Sequence, residues 1–185
     1  MRPESQSLKV SKWLSEHAVK IGADSSVIDL QELHLPRFED SDEVVDDVKK
    51  MLEGFESSDG FVFVSPEWNG TMSHGLISML HYVDHEMAHK PVMLVGVSSG
   101  RGGHYPLMQM RIMNYKNNHF VISPEALLVQ DCKLVLNDHE DSEGADGYVK
   151  KRADYALKIL LQYCESLKNV RNSGVVNFKD FPSGV

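Results

Sequence analysis

Three short stretches hold residue types suited to binding a flat, negatively charged small molecule. "SPEWNGT" (65–71) sets a Pro, a Glu, an aromatic, an Asn and a Gly in succession, and "SSGRGGHY" (98–105) has three Gly and one Arg. Small residues leave main-chain amides open, so a flat ring can lie against either loop. "RPESQS" (2–7) places Arg2, Ser5 and Ser7 at the start of a helical pattern. Free N–H groups and the helix dipole attract anions there, and an Arg adds charge-assisted hydrogen bonds to a phosphate. One anion loop and two ring loops together describe a mononucleotide with a large flat base. The glycine loop lacks the spacing of a dinucleotide fingerprint and the Lys-Ser/Thr of a nucleotide P-loop.

These loops need a scaffold that turns them to one side. Leu8, Trp13, Leu14, Ala18 and Ile21 recur at helical spacing, which predicts a helix over 7–21. "SVIDL" (26–30) reads as a short strand, and "LHLPRFEDSDE" as a polar loop around Pro36. Val44, Val45, Val48, Leu52 and Phe55 mark a second helix, with Asp42 and Glu43 near its positive end. Phe61 to Val64 is an unbroken apolar run, as a strand covered on both faces requires. Met72, Leu76, Met79, Leu80 and Val83 give a third helical stripe; the plan then repeats with a strand at 92–97 and a helix over 105–116. "HFVIS" can supply a last strand, and a long helix is predicted over 147–168. Strands alternating with helices mean an α/β sandwich with a parallel sheet and right-handed crossovers. Ligands of such sheets bind at the carboxyl ends of the strands, where both ring loops fall. The tail "NSGVVNFKDFPSGV" lacks periodicity and is expected to be loose or to pack on a partner.

Composition narrows the choice. The chain has 185 residues, 42% hydrophobic and 25% charged, which suits one soluble globular domain. A net charge of −8 argues against a nucleic-acid binder, which needs a basic face. Cys132 and Cys164 stand far apart in no metal or redox spacing, so a reducing compartment, by default the cytoplasm, is expected. No signal peptide, lipidation motif or membrane-length apolar run is present.

Each motif also has an ordinary structural reading. Arg2 with Ser5 and Ser7 can be a frayed terminus beside a common helix cap. Trp68 can be a core or interface aromatic, Asn69-Gly70 a plain turn pair, and 100–103 a connector. His74, His81, His85 and His89 fall near helical spacing, but without carboxylate or Cys partners in a pocket they read as a solvated helix face, not a metal site. Met72 and Met79 read as core, and "NDHEDSEGAD" as a solvated loop.

Taken in order, the three stretches resemble the NADPH-dependent FMN reductase family. "SPEWNGTMSHG" is similar to its P-E-Y-N-G-S segment, "KPVMLVGVSSGRGG" to its K-P-V strand and S-G-G-x-G-G loop, and "RPESQS" to the end of its G-S-x-R-x-x-S-x-N loop. The resemblance covers residues 1 to about 165. It implies a flavodoxin-like three-layer sandwich over 1–170, with 171–185 as a tail, and FMN as cofactor with NADPH or NADH as co-substrate. It implies an oxidoreductase passing a hydride from the nicotinamide to FMN and on to a quinone, azo compound, metal oxyanion or free flavin. By the same resemblance Arg2, Ser5 and Ser7 hold the phosphate, with Ser7 where the family usually has Asn. Pro66, Glu67, Trp68, Asn69 and Gly70 lie beside the ring and ribityl chain, and Ser98, Ser99, Gly100, Arg101 and Gly102 line the ring's other edge. No side chain is expected as nucleophile or general base. Ser73 and His74 replace a common Pro-Gly pair, and Tyr82 stands where Trp is frequent, which puts the nicotinamide and acceptor pocket in question more than the flavin site. A homodimer or homotetramer with the flavin near an interface is implied.

The family's pattern puts a strand and G-S-x before the position of Arg2, with Met1 at the x. The expectation is therefore a mis-assigned start, a gene fragment or a shortened splice form, with weak flavin binding and a damaged sheet unless another chain fills the gap. Two other readings remain: a single-electron flavodoxin-type carrier, and a non-catalytic remnant.

Overall fold

A computed structural model describes residues 5–36, 38, 45–113 and 116–184. In order these form α1 (Gln6–Lys20), α2 (Asp46–Ser57), β1 (Phe61–Pro66), α3 (His74–Tyr82), a 3-10 turn (His85–Met87), β2 (Pro91–Val97), α4 (His104–Ile112), β3 (Val121–Val129) and α5 (Gly144–Asn172). The strands make one parallel sheet in the order β1-β2-β3. β2 is central and buried along its whole length. Its side chains alternate between two cores, as a strand's period of two requires. Met93, Val95 and Val97 face α1 and α5, where Trp13, Leu14, Leu157 and Leu160 pack. Val92 and Leu94 face the opposite layer, built from α2, α3 and α4 around Phe55, Met79 and Met110. The expected α/β sandwich is what the chain forms.

Three element ends have local causes. α2 stops where the buried Lys90 ammonium donates to the carbonyls of Phe55 (2.8 Å) and Glu56 (2.6 Å), a cation set on the helix's negative end. α2 also begins with Asp46 and Asp47 at its positive end; the predicted acidic pair Asp42 and Glu43, with Val44, lies outside the described residues. β3 runs on through Pro124, well past "HFVIS". Val92 pairs with Ile122 and Leu94 with Ala126, so three residues around the donor-less Pro124 bulge against one of β2.

Five expectations need correction. Residues 26–30 do not form a strand. Val27 and Ile28 are exposed, and among the described residues no strand lies beside them to complete a ladder. β propensity alone does not hold a segment extended. The helix expected over 105–116 ends at Ile112, and the one expected over 147–168 runs from Gly144 to Asn172. The histidines do not share a helix face: α3 ends at Tyr82, and His89 has φ +52°. His85, His89 and His119 instead gather around the tail, where Phe178 stacks on His85 at 3.9 Å and Pro182's carbonyl accepts from His85 (3.1 Å) and His119 (3.2 Å). The tail is thus seated on its own chain. No helix among the described residues is long and apolar enough to cross a membrane.

Candidate functional site

The register aligns Pro66 with Val97 and Val97 with Val129, so the three strands end side by side. Their following loops therefore open on the same edge of the sheet. After β1 the Glu67 amide bonds Val97's carbonyl at 2.9 Å, and the chain then reverses tightly. Trp68 and Thr71 exchange backbone hydrogen bonds of 3.2 and 3.0 Å across Asn69 (φ +50°) and Gly70 (φ +72°). Two successive left-handed residues are what the Asn-Gly pair is suited to supply.

The loop after β2 is shaped by its own first residue. Ser98 Oγ accepts from the amides of Gly100 (3.2 Å) and Gly102 (3.1 Å). Gln130, just past β3, donates to the carbonyls of Arg101 and Gly102. Asp131's amide bonds Gly100's carbonyl (3.1 Å) and Cys132's amide bonds that of Ser98 (3.1 Å). Gly103 then enters α4 at φ +99°, so close to β2 that a Cβ on Gly96 would lie 2.0 Å from its carbonyl oxygen. Only glycine fits that contact.

Glu67 joins the two loops. Its Oε2 accepts from the amides of Gly103 (2.6 Å) and Tyr105 (3.3 Å), at the positive end of α4. Gln109 of α4 adds a second tie, its Oε1 accepting from Met72's amide at 2.8 Å. The two ring loops are thus one unit, with a carboxylate as the pin.

The third element approaches through Lys9. Ser5 caps α1, its hydroxyl accepting from Leu8's amide at 3.3 Å, and Ser7 lies in the first turn. One turn on, Lys9 Nζ donates to the carbonyls of Cys132 and Val135 (2.8 Å) and to Asn137 Oδ1 (2.9 Å). Cys132 is the residue whose amide holds Ser98. The start of α1 is therefore linked by two hydrogen bonds to the glycine loop. Burial pulls the Lys9 ammonium's pKa below the usual lysine range, against the attraction of Cys132 and Asp146. Burial also pushes the Cys132 thiol up, against the opposing pull of the Lys9 charge.

Of the residues singled out in the sequence, 66–70 and 98–102 converge, and Ser5 and Ser7 stand at the linked helix start. Arg2 lies outside the described residues. Sequence reasoning missed Lys9, Gln109 and Gln130, which act through side-chain hydrogen bonds to residues distant in the chain that leave no periodic or motif signal. The arrangement suits a mononucleotide. On its inner side the glycine loop is filled: a Cβ on Gly102 would meet Glu67 Oε1 at 2.9 Å and Ser98 Oγ at 3.0 Å. On its outer side a Cβ on Gly100 would meet nothing within 4 Å. A flat ring has room along that open side, and the capped start of α1 offers first-turn amides to an anion.

Residues 1–132 match the family model described as NADPH-dependent FMN reductase. A curated relative, an NADPH azoreductase from Bacillus sp. (strain OY1-2), is 36% identical over 75 residues, 40% of this chain and 42% of that protein. The match thus spans less than half the relative's length. An oxidoreductase from Corynebacterium diphtheriae superposes with a TM-score of 0.66 at 17% identity, covering 85% of this chain and 86% of that one. The flavoenzyme NAD(P)H:(acceptor) oxidoreductase FerB from Paracoccus denitrificans gives 0.60 at 18% identity, covering 91% and 93%. At those identities the likeness establishes the fold, a flavodoxin-like α/β sandwich.

Proposed function

The chain belongs to the NADPH-dependent FMN reductase family, and from that membership we propose that it is an FMN-dependent NAD(P)H oxidoreductase. Its electron acceptor would be a quinone, azo compound, metal oxyanion or free flavin. When bound, FMN supplies the redox chemistry, taking a hydride from the nicotinamide and passing electrons on. The protein's work is to bind, orient and shield. Ser5, Ser7 and Arg2 would receive the phosphate at α1's start. The 66–70 and 98–102 loops would hold the ring, with Gly100 and its neighbours offering main chain along one edge. The observation that carries this reading is the Glu67 carboxylate, which fixes both ring loops as one surface before any ligand arrives.

A homo-oligomer is part of the reading. Tyr105, Met108 and Ile112 recur at i, i+3 and i+7 on α4 and are 65%, 59% and 77% exposed. That stripe begins beside the ring loops and suits a second copy of the chain; sedimentation of the wild type against Met108→Glu tests it. A cytoplasmic location accords with two free, buried thiols.

The deciding experiment is an absorbance spectrum of the purified chain after FMN is added and excess removed. Retained flavin peaks that bleach on NADPH addition support the reductase. Retained flavin that NADPH leaves oxidised points to the single-electron carrier. A colourless protein overturns the flavoprotein reading.

A further inference from the structure

The segment after α5 closes the amino end of the sheet, the edge away from the ring loops. His89 directly precedes Lys90 and β2, His119 lies just before β3, and His85 stands in the 3-10 turn. His89's amide bonds His119's carbonyl at 2.9 Å, which fixes these two loops to each other. The three imidazoles form a seat, with ring centroids 5.4 Å apart from His85 to His119 and 6.0 Å from His89 to His119. Phe178 lies parallel to His85 and His89 and tilted over His119 at 5.1 Å. Pro182's carbonyl accepts from His85 and His119, and Gly184's amide donates to Lys116's carbonyl. Within the segment Asn177 holds a turn. Its carbonyl accepts from Phe181's amide and its Oδ1 from Asp180's amide, both at 3.1 Å, while its Nδ2 donates to Asp180 Oδ2 at 2.9 Å. The segment is thus shaped by itself and seated by three side chains of one chemical type.

Imidazole is the side chain that gains its charge between about pH 8 and 5. The bonds to Pro182 survive that change, because a neutral ring already donates from Nε2 and takes its second proton on Nδ1. What changes is the crowding of positive charge. Lys90 and Arg171 stand beside His89, and Arg171 Nη1 donates to His89's carbonyl at 3.1 Å. Lys116 adds a cation before β3, and the segment brings Lys179 and Asp180. The facing carboxylates are largely engaged. Asp59 pairs with Arg171 at 2.9 Å and Lys168 at 3.0 Å, and Glu86 Oε2 accepts from Asp84's amide at 2.8 Å. Asp84 lies 3.6 Å from His85 and Glu56 stands at the end of α2, so His85 has an acidic neighbour and His89 has cations. Burial above all, with the charges of His119 and Arg171, holds the His89 pKa below the ordinary 6.5. Seating therefore favours neutral His89. That contribution is intact above about 6.5 and is lost as pH falls through the lower value of the seated state.

We propose that residues 176–184 are a pH-sensitive strap, closed on the sheet's amino end while His85, His89 and His119 are neutral and lifted when the cluster takes up protons. The strap stands apart from the cofactor reading, since it and the ring loops occupy opposite ends of the strands. Lifting bares the Phe178 ring and opens the cavity of about 280 Å³ where Val176 and Phe178 face Lys90, Arg171 and Glu56.

Hydrogen exchange of the full chain, read by mass spectrometry and corrected for the intrinsic rate at each pH, tests the strap. From about pH 7.5 to about pH 5.5 the protection of 177–184 is expected to fall about threefold to tenfold, as uptake of one proton allows, while β2 keeps its protection. His89→Asn removes the titrating ring and suits the φ of +52°, so most of that fall should disappear. Phe178→Ala should leave the segment unprotected at both pH values. By reciprocity it should also move the His89 titration, followed by NMR, up toward the ordinary value. That second measurement does not depend on His89→Asn folding. Equal protection of the wild-type segment at the two pH values overturns the strap, as does a fall just as large in His89→Asn. A His89 titration that ignores Phe178 overturns it too, and so does a loss of β2 protection in step with the segment, which would be unfolding of the whole chain.

Discussion

Removing the Glu67 carboxylate should loosen both ring loops at once. Its 2.6 Å bond to Gly103's amide is charge-assisted, a class that contributes about 1.5–3 kcal/mol. The 3.3 Å bond to Tyr105's amide is weaker. A negative charge at α4's first turn adds about 0.5 kcal/mol from the helix dipole. Glu67→Ala is therefore expected to lower unfolding free energy by about 2–3 kcal/mol, with Gly103's amide left without its acceptor. Glu67→Gln keeps an acceptor oxygen and loses the charge, so it should cost about 1 kcal/mol. If the loops must be reordered before a ring can lie on them, at least half the Ala cost reappears in ligand affinity, about tenfold in the FMN Kd. Urea unfolding of the flavin-free chain and FMN fluorescence quenching measure the two effects side by side. The reasoning predicts that Ala and Gln fall on one line, affinity tracking stability. It is refuted if Glu67→Ala unfolds at the wild-type midpoint. It is also refuted if both variants lose FMN equally at unchanged stability, since the carboxylate would then be touching the ligand.

Gly100→Val should leave thermal stability unchanged, because a Cβ there meets nothing within 4 Å, and should weaken FMN about tenfold or more by standing in the ring's space; unchanged FMN affinity counts against the loop assignment. Asn69→Ala should weaken FMN retention, and because φ is +50° it should also cost about 1 kcal/mol of stability, seen as a shift in the urea midpoint. Burial alone would raise the Asp146 pKa, but hydrogen bonds from Ser142, Lys150 and Leu136's amide more than offset it and hold the carboxyl below the usual range. Its stabilising effect is thus present above the unfolded value of about 3.9 and lost as pH falls through the lower folded value. Asp146→Asn should cost about 1–2 kcal/mol near pH 7, with the gap to wild type closing below about pH 4 in urea titrations. Burial, aided by the Asp59 charge, pushes the Cys164 thiol up to about 11, and burial raises Cys132 as well. Neither should react with a disulfide reagent at pH 8 until the chain is unfolded, and rapid native labelling would contradict that.

What was legible in the sequence follows from how each feature is encoded. β2 is buried on both faces, so "PVMLVGV" shows as a continuous apolar run. The amphipathic stripes of α1, α2 and α3 show for the complementary reason. Residues 26–30 misled because their composition favours a strand while strand formation depends on a neighbour elsewhere, which no local pattern reports. The bulge at Pro124 hid the second half of β3, since a proline normally ends a strand. At the site, Asn69-Gly70 announced its turn through residue type. Lys9 and Gln130 announced nothing, because a single long side chain reaching a carbonyl over a hundred or about thirty residues away has no spacing to detect.

The same distinction bears on how a motif should be read. Under the reductase reading "SPEWNG" and "SSGRGG" would line a cofactor, which invites the inference that every polar side chain in them touches it. In this chain several do not have that freedom. Ser98 Oγ is occupied by two amides of its own loop, Ser65 Oγ by the Ser73 amide, and Glu67 Oε2 by two amides of the neighbouring loop. These side chains spend their hydrogen bonds on shape. What remains for a ligand is main chain, the open flank at Gly100 and the exposed Ser99 and Arg101. Recognition through main chain tolerates changes in side-chain identity as long as the loop shape holds. Substitutions at Ser98 or Glu67 should therefore resemble loop damage, with affinity and stability falling together. Substitutions at Ser99 or Arg101 should change affinity alone.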